Sequence, residues 1–550
     1  MEKHRIWATL HPFFESGDIM GRSVANEGFI RAFIAASPYD CHYFFLSDEG
    51  LVSRVRERLE QLFPEKSRYG AFHVTTRHCL PETLAATDVE LFHLSDCVTD
   101  FAPVLRLRNA LSRNVFAVTG TTHSLSYARY GAYFFDQLWE GVTARDAIIA
   151  TSRAGEGAVV AMFSALRKGY GLEQVPCPRV ARIPLGVTPE DFVAPEGKAD
   201  ASIAIRRELG IPESHLVLLV FARISHYSKM DVLPLFRALL RAEECGLPRG
   251  GYTLILSGWV DAHETAAAYA DIAARCGITC LVVPSPTDEM RRSLFAGADM
   301  FLSPVDNPQE TFGLTLLEAG AASLPVVASD FDGYRDLVVH GETGFLVPTY
   351  GPEATPETDA LSGVWFDNQR HLQIAQQSIV SIPETAEAIG RLAADAGLRE
   401  RFGAAARKRV LERYTWPQVV AQHLSLWEEL AATPVERPAS RHPLHPGYSA
   451  IFGGYYSHVF DSTVVQSTRV RWTAFGEAVY RGKDFPAVYG GIERLVPLET
   501  VRHILFRARK PVQLATLLPT DMSLPSAEQE AFPVFWALKQ DLLEIVQDKI

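Results

Sequence analysis

Glu310 and Glu318 stand in the run SPVDNPQETFGLTLLEAGAASLPVVASDFDG, residues 303–333, with seven residues between them and Phe312-Gly313 just after the first. Leu316, Leu317, Ala321 and Ala322 recur at helical spacing, so the first carboxylate precedes a helix and the second lies inside it. A helix starting near Thr311 turns its first N–H groups and the positive end of its dipole toward the space that Glu310 borders. Glu318 follows about two turns later on an adjacent side, placed to accept hydrogen bonds from another part of the same ligand. Such a pocket suits a phosphate with a sugar on either side. The context is a strand over 300–303, a loop, the helix and a strand over 325–328. That is a βαβ unit, which binds ligands beyond the carboxyl ends of its strands.

Two cations point to the same edge. Phe221-Ala222-Arg223 ends an apolar strand over 216–221, and Lys229 follows six residues later, before an apolar helix over 232–240. A guanidinium fork and a mobile ammonium can neutralise a diphosphate, although a pair of plain surface cations would have the same spacing. Nearer the start, HPFFESGDIMGR spans residues 11–22, a strand end followed by Gly17 and Gly21 and a helix through Phe33. Glycine there lets backbone N–H groups approach a phosphate, but it also makes an ordinary turn. His123, in VTGTTHSLS, follows a strand. It is either a contact to a sugar hydroxyl or to developing charge, or an ordinary loop histidine.

The elements that position these residues come in two series. Apolar runs at 6–10, 43–46, 90–94, 115–118, 147–151 and 181–183 alternate with amphipathic segments, the pattern of parallel strands with crossover helices. A second series follows at 216–221, 252–257, 280–283, 300–303 and 326–328. The expected fold class is therefore α/β, with two Rossmann-like, doubly wound domains facing a cleft. The expected boundaries are 1–187 for the first domain, 188–202 for a linker and 203–381 for the second. Helices over 382–431 would cross back to the first domain. Those at 384–396 and 399–412 have Gly397 as a C-terminal cap between them, and another spans 416–430. A proline-marked linker at 432–446 leads to an accessory extension, 447–550, mixed but mostly helical, with helices at 498–507, 512–518 and 527–546.

Bulk properties narrow the function classes. At 550 residues about three compact units are expected, and 47% hydrophobic residues can fill their cores. A formal net charge of −12 gives no field that would hold nucleic acid. The seven cysteines are odd in number, scattered and not spaced as zinc ligands, which suits a reducing cytoplasm. No apolar run approaches the roughly 20 residues of a membrane span, so any membrane attachment is expected to be peripheral. Residues 1–14 do not read as a secretory signal.

Over roughly 6–430, and most strongly over 223–348, the chain resembles the retaining GT-B glycosyltransferases of family four, the glycosyl transferases group 1. The resemblance implies that Arg223 and Lys229 hold a donor diphosphate and that Glu318 binds the nucleotide ribose. It implies that Glu310 holds donor-sugar hydroxyls beside the Phe312, Gly313 and Leu314 amides. Gly17 and Gly21 match the family's glycine loop loosely, and His123 matches its first-domain histidine. The resemblance makes 1–187 the acceptor-side domain and 203–381 the nucleotide-sugar-binding domain, and the implied activity is transfer of a hexose from a nucleotide-diphosphate sugar to a hydroxyl of a glycan, lipid-linked or small-molecule acceptor, with retention. No cofactor or metal is obligatory in that scheme. Departures are Leu185 and Thr188 around Gly186-Val187, and a glycine pair after the last core strand reduced to Asp332-Gly333. Asp330-Phe331-Asp332 also spells the Asp-x-Asp of metal-dependent transferases of another fold, here read as chance. The competing functions are a GT-B epimerase or phosphorylase, and a non-catalytic core that serves the extension.

Overall fold

The computed structural model describes residues 4–14, 21–193, 197–260, 263–521 and 525–546. The apolar runs form parallel strands because helices cover both of their faces, leaving no side of the sheet for polar residues. The first series gives β1 (Ile6–Thr9), β2 (Cys41–Leu46), β3 (Phe72–Thr76), β4 (Leu91–Leu94), β5 (Ala117–Thr121), β6 (Asp146–Ala150) and β7 (Arg179–Arg182), in the order β3-β2-β1-β4-β5-β6-β7. The second gives β8 (Leu216–Phe221), β9 (Tyr252–Gly258), β10 (Cys280–Pro284), β11 (Met300–Ser303), β12 (Val326–Ser329) and β13 (Gly344–Val347), in the order β10-β9-β8-β11-β12-β13. Every neighbouring pair is parallel, with β8 and β11 in register at Leu218↔Met300 and Leu219↔Phe301.

Each sheet separates two apolar clusters. In the first lobe one cluster gathers Trp7, Phe29, Phe33 and Phe44, the other Phe45, Phe92, Phe101 and Ile148. The helix Trp416–Ala432 belongs to the first of these, since Trp416, Val419, Val420, Trp427 and Leu430 pack with Trp7 and Phe29. The helices Ile382–Ala394 and Ala396–Arg413 pack on the second lobe through Ile389, Leu392, Phe402 and Val410. Gly397 is not a C-terminal cap. It sits in the first turn of Ala396–Arg413, where Asp395 is the N-cap and accepts from Leu398 N. Its neighbour Asp395 supplies the oxygen that a helix start needs, so one helix ends and the next begins within two residues.

Within the two parallel sheets, two strands lie outside the apolar pattern. β3, with the sequence FHVTT, is an edge strand with only Val74 buried, and β13 has four residues after a turn. Between β13 and the helix Ile382–Ala394, a two-residue hairpin pairs Thr349–Tyr350 with Ile379–Val380 and carries the short helices Pro356–Ala360 and Asp367–Ala375.

The chain divides into two compact units, Met1–Ser440 and Arg441–Ile550. The second is a three-stranded antiparallel sheet with Arg469–Trp472 in the centre, flanked by Val512–Gln513 and Leu543–Val546. Its core joins Val470 to Val501, Leu505, Leu514, Val534 and Trp536. The helix Leu498–Arg507 forms as expected. The segment 512–518 is instead a strand and a 3-10 turn, and 527–546 divides into the helix Pro525–Lys539 and an edge strand. Among the described residues no helix is long and apolar enough to cross a membrane.

Candidate active site

In the second sheet β8 and β11 are neighbours, yet the chain leaves β8 toward β9 on one side and β11 toward β12 on the other. Loops that diverge in this way leave a crevice at the carboxyl ends of the two strands. Arg223 and Lys229 follow β8, and Glu310 follows β11. Lys229 Nζ donates to Glu310 Oε2, with the two side chains only 16% and 11% exposed. Glu310 Oε1 accepts the N–H groups of Thr311 and Phe312, each at 3.2 Å. Tyr334 Oη lies 3.4 Å from Oε2 and 2.8 Å from Ser303 Oγ, which ties the carboxylate to the end of β11. Burial alone would raise the Glu310 carboxyl, but the Lys229 charge and the two amides hold it below the ordinary range. Burial likewise opposes the Lys229 ammonium and Glu310 overcomes it, with Arg223 near enough to act in the opposing direction. The pair is ionised, and its partners fix it in place.

The helix after this loop is Leu314–Ala321, with Gly313 as its N-cap at φ 103°. A Cβ there would lie 2.4 Å from the Tyr334 ring, so only glycine fits between the loop and that ring. The Phe312 amide, expected to face an anion, is occupied by Glu310 itself. That leaves the Gly313 and Leu314 amides as the helix-end donors to a ligand. Phe312 instead buries its ring in the core. Glu318 is 6% exposed and accepts from Arg291 Nη1 at 2.8 Å, a partner on the helix Asp288–Gly297 after β10. Burial pushes the Glu318 carboxyl up to about 7 despite Arg291, with Asp191 and Asp288 adding to the rise. It forms no hydrogen bond with the Lys229–Glu310 pair among the described residues.

The first lobe brings its own loops to the same place. His123, after β5, lies 2.7 Å through Nε2 from Ser95 O after β4. A carbonyl only accepts, so Nε2 carries the proton and Nδ1 is left as an acceptor. Burial, and then the charge of Arg22, lower His123 to about 4, so the ring is neutral at pH 7. It can therefore take a hydrogen bond from a hydroxyl. Donation to developing negative charge is not open to it, because its one N–H is committed to Ser95. His11, at the end of β1, is held by Ser95 N and Oγ through Nδ1 and by Asp100 through Nε2 at 3.1 Å. Gly21 opens the helix Gly21–Ala36, and no heavy atom would lie within 4 Å of a Cβ there. Gly17 lies outside the described residues.

The lobes touch at the Glu310 loop. Ser124 Oγ, next to His123, donates to Gln309 O at 2.8 Å, and Ser152 Oγ donates to Thr311 O at 2.7 Å. Glu310 is thus bracketed by two hydroxyls from the opposite lobe. Further along, Gln309 Nε2 lies 2.6 Å from His371 Nδ1, while His371 Nε2 reaches Ser126 Oγ at 2.9 Å. Arg153 pairs with Asp336 at 2.8 Å across the same interface.

Residues 202–358, which hold Arg223, Lys229, Glu310 and Glu318, match the model of the family Glycosyl transferases group 1. That stretch is similar to the group 1 glycosyl transferases. A D-inositol 3-phosphate glycosyltransferase of Corynebacterium urealyticum is 29% identical over 277 residues, covering 48% of this chain and 54% of that protein. An alpha-maltose-1-phosphate synthase of Mycolicibacterium smegmatis is 30% identical over 172 residues, 31% of this chain and 38% of that protein. The chain spans about half the length of the first of these relatives. Among solved structures, Anabaena Alr3699/HepE in complex with UDP and glucose superposes with a TM-score of 0.52 at 17% identity, over 78% of this chain and all of that one. A glycosyltransferase from Rickettsia africae does so with 0.52 at 14%, over 79% of this chain and all of that one. The two-sheet architecture is the GT-B fold.

Within residues 202–358 the structure joins Lys229 to Glu310, with Arg223 following the same strand as Lys229, while Glu318 is paired separately. Gly21 and His123 lie in the first lobe, outside the matched residues. Arg291, Tyr334, His11 and His371 were not singled out from sequence. Arg291 stands in an exposed-looking helix pattern, and only the fold brings it to Glu318. Tyr334 follows Gly333 at the end of the motif-bearing run, and its hydroxyl gave no spacing signal.

Proposed function

We infer that the protein is a retaining hexosyltransferase that moves a sugar from a nucleotide-diphosphate donor to an acceptor hydroxyl. The observation that carries the reading is the ionised Lys229–Glu310 pair with Arg223 at the carboxyl ends of β8 and β11. Arg223 and Lys229 would face the donor diphosphate. Lys229 has three N–H donors, so it can keep Glu310 as a partner while it engages a phosphate. The Gly313 and Leu314 amides add the helix-end field on the same side. Glu318, with one oxygen on Arg291, has its other oxygen for the ribose hydroxyls.

As the donor's glycosidic bond lengthens, negative charge grows on the departing diphosphate, and the fixed cations stabilise it most at that stage. Glu310 would hold hydroxyls of the sugar as the ring takes on oxocarbenium character. The acceptor oxygen then attacks from the face the diphosphate leaves, and the leaving phosphate takes its proton. His123 Nδ1 would accept from a sugar hydroxyl at the first-lobe side. The reading routes no step through a protein nucleophile or a metal ion. The names of the relatives make phosphorylated small molecules such as D-inositol 3-phosphate acceptors to try first, beside glycan and lipid-linked alcohols.

The test is to incubate the chain with UDP-glucose, UDP-N-acetylglucosamine or GDP-mannose and a panel of acceptor alcohols, and to follow nucleotide release and the anomeric proton of the product by NMR. A product with the donor's anomeric configuration supports the reading. An inverted product contradicts retention. A sugar isomer or free sugar phosphate formed without acceptor favours an epimerase or phosphorylase, and nucleotide binding without any turnover favours a non-catalytic core.

A further inference from the structure

The motif Asp330-Phe331-Asp332 has no part in the chemistry above, yet the fold treats its two carboxylates in opposite ways. Asp330 Oδ1 accepts from Arg335 Nε at 2.8 Å and is 45% exposed, an outward-facing surface pair. Asp332 takes a left-handed backbone, φ 48°, and is not hydrogen-bonded to Arg335. Gly333 beside it is pressed onto the Glu310 loop, since a Cβ at Gly333 would lie 2.6 Å from Thr311 O and from the Phe312 Cα. Tyr334, next in the chain, hydrogen-bonds Glu310. Asp332 is therefore held at the wall of the crevice that contains Glu310.

Two features are unexplained by packing. A left-handed residue other than glycine costs backbone energy. No other side chain hydrogen-bonds the Asp332 carboxyl among the described residues, and Gly333 N–H is the backbone donor that favours its charge. Burial, and next the charge of Glu310, push this carboxyl up to about 8, while Arg335 and Lys229 pull the other way. The group lies close enough to both members of the Lys229–Glu310 pair to feel their charge, and the fold gives it no side-chain partner.

We propose that Asp332 is a specificity-determining residue that hydrogen-bonds a hydroxyl of the donor sugar beside Glu310. With a carboxyl on each side of the sugar, the site reads the direction of that hydroxyl, which a glycine at this position cannot do. The proposal rests on the donor-site reading above.

The experiment measures, by calorimetry on the full chain at pH 7, the affinities of UDP, UDP-glucose and the epimeric UDP-galactose for the wild type, Asp332→Gly and Asp332→Asn. Both replacements tolerate a left-handed backbone, so folding is not the variable. The expected result is that UDP affinity stays within about threefold in both variants, while the preference between the two epimeric donors falls by about 10-fold or more in Asp332→Gly. Asp332→Asn, which keeps the shape and an acceptor oxygen, should retain part of that preference. Equal changes in UDP and in both UDP-sugars, or no change at all, would overturn the specificity role and leave the donor site standing. A wild type that binds both sugars with equal affinity overturns it too. A wild type that binds none of the three ligands overturns the uridine-donor site and this proposal together.

Discussion

Replacing Lys229 with methionine separates what the ion pair does for the fold from what it does for the reaction. Both side chains are more than four-fifths buried, so the variant leaves Glu310 ionised without its counter-charge in a site that disfavours charge. Removing one partner of a buried pair costs about 3–5 kcal/mol. The two amide hydrogen bonds from Thr311 and Phe312 remain, so the lower end applies. At about 2 °C per kcal/mol for a large domain, the unfolding midpoint should fall by about 6 °C. Adding Glu310→Gln removes the stranded charge, and the double variant should recover most of that loss. Turnover should not recover: loss of one preorganised contact to the leaving diphosphate costs about 100-fold or more in either background. Scanning fluorimetry and nucleotide release on the four proteins give the cycle. A Lys229→Met protein as stable as the wild type, or a double variant restored in both readouts, would refute the reasoning.

Glu318 gives a pH signature. Its folded-state carboxyl is raised to about 7, so the native form binds an extra proton, and its contribution to stability declines as pH rises from about 4.5 to 7 and is flat above. Ribose hydroxyls donate to the ionised form, so UDP affinity should rise between pH 6 and 8. Glu318→Gln should flatten that rise in calorimetric titrations, whereas the same slope in both proteins would separate Glu318 from the nucleotide. Gly313→Ala combines φ 103° with a Cβ placed 2.4 Å from the Tyr334 ring, so it should destabilise by about 2–4 kcal/mol. A thermal midpoint within 1 °C of wild type would show that the ring moves aside at little cost.

The order of the sheets was legible because buried parallel strands are continuous apolar runs. LVLLVF at Leu216–Phe221 and MFLS at Met300–Ser303 have the observed bounds. β3 escaped notice because an edge strand does not need that run. In the extension, 512–518 has helix-compatible residues, and pairing of Val512–Gln513 with Arg469–Val470 makes its start a strand, a long-range choice that local spacing does not encode. The site was half legible for the same reason. Glu310 and Lys229 each sit at a recognisable strand end, but that they pair needs β8 beside β11. The Phe312 amide was assigned to a ligand and proves to be taken by Glu310, since spacing locates a helix end without saying which side chain folds back over it. Arg291 with Glu318, and Ser124 and Ser152 on the Glu310 loop, are contacts between segments far apart in the chain.

The most direct test of the donor site is a crystal structure of the chain soaked with the nucleotide sugar that calorimetry selects. The account predicts diphosphate density between Arg223 and Lys229, with the sugar against Glu310 and the ribose at Glu318. Density for the diphosphate elsewhere, with the Lys229–Glu310 crevice filled only by solvent, would contradict it.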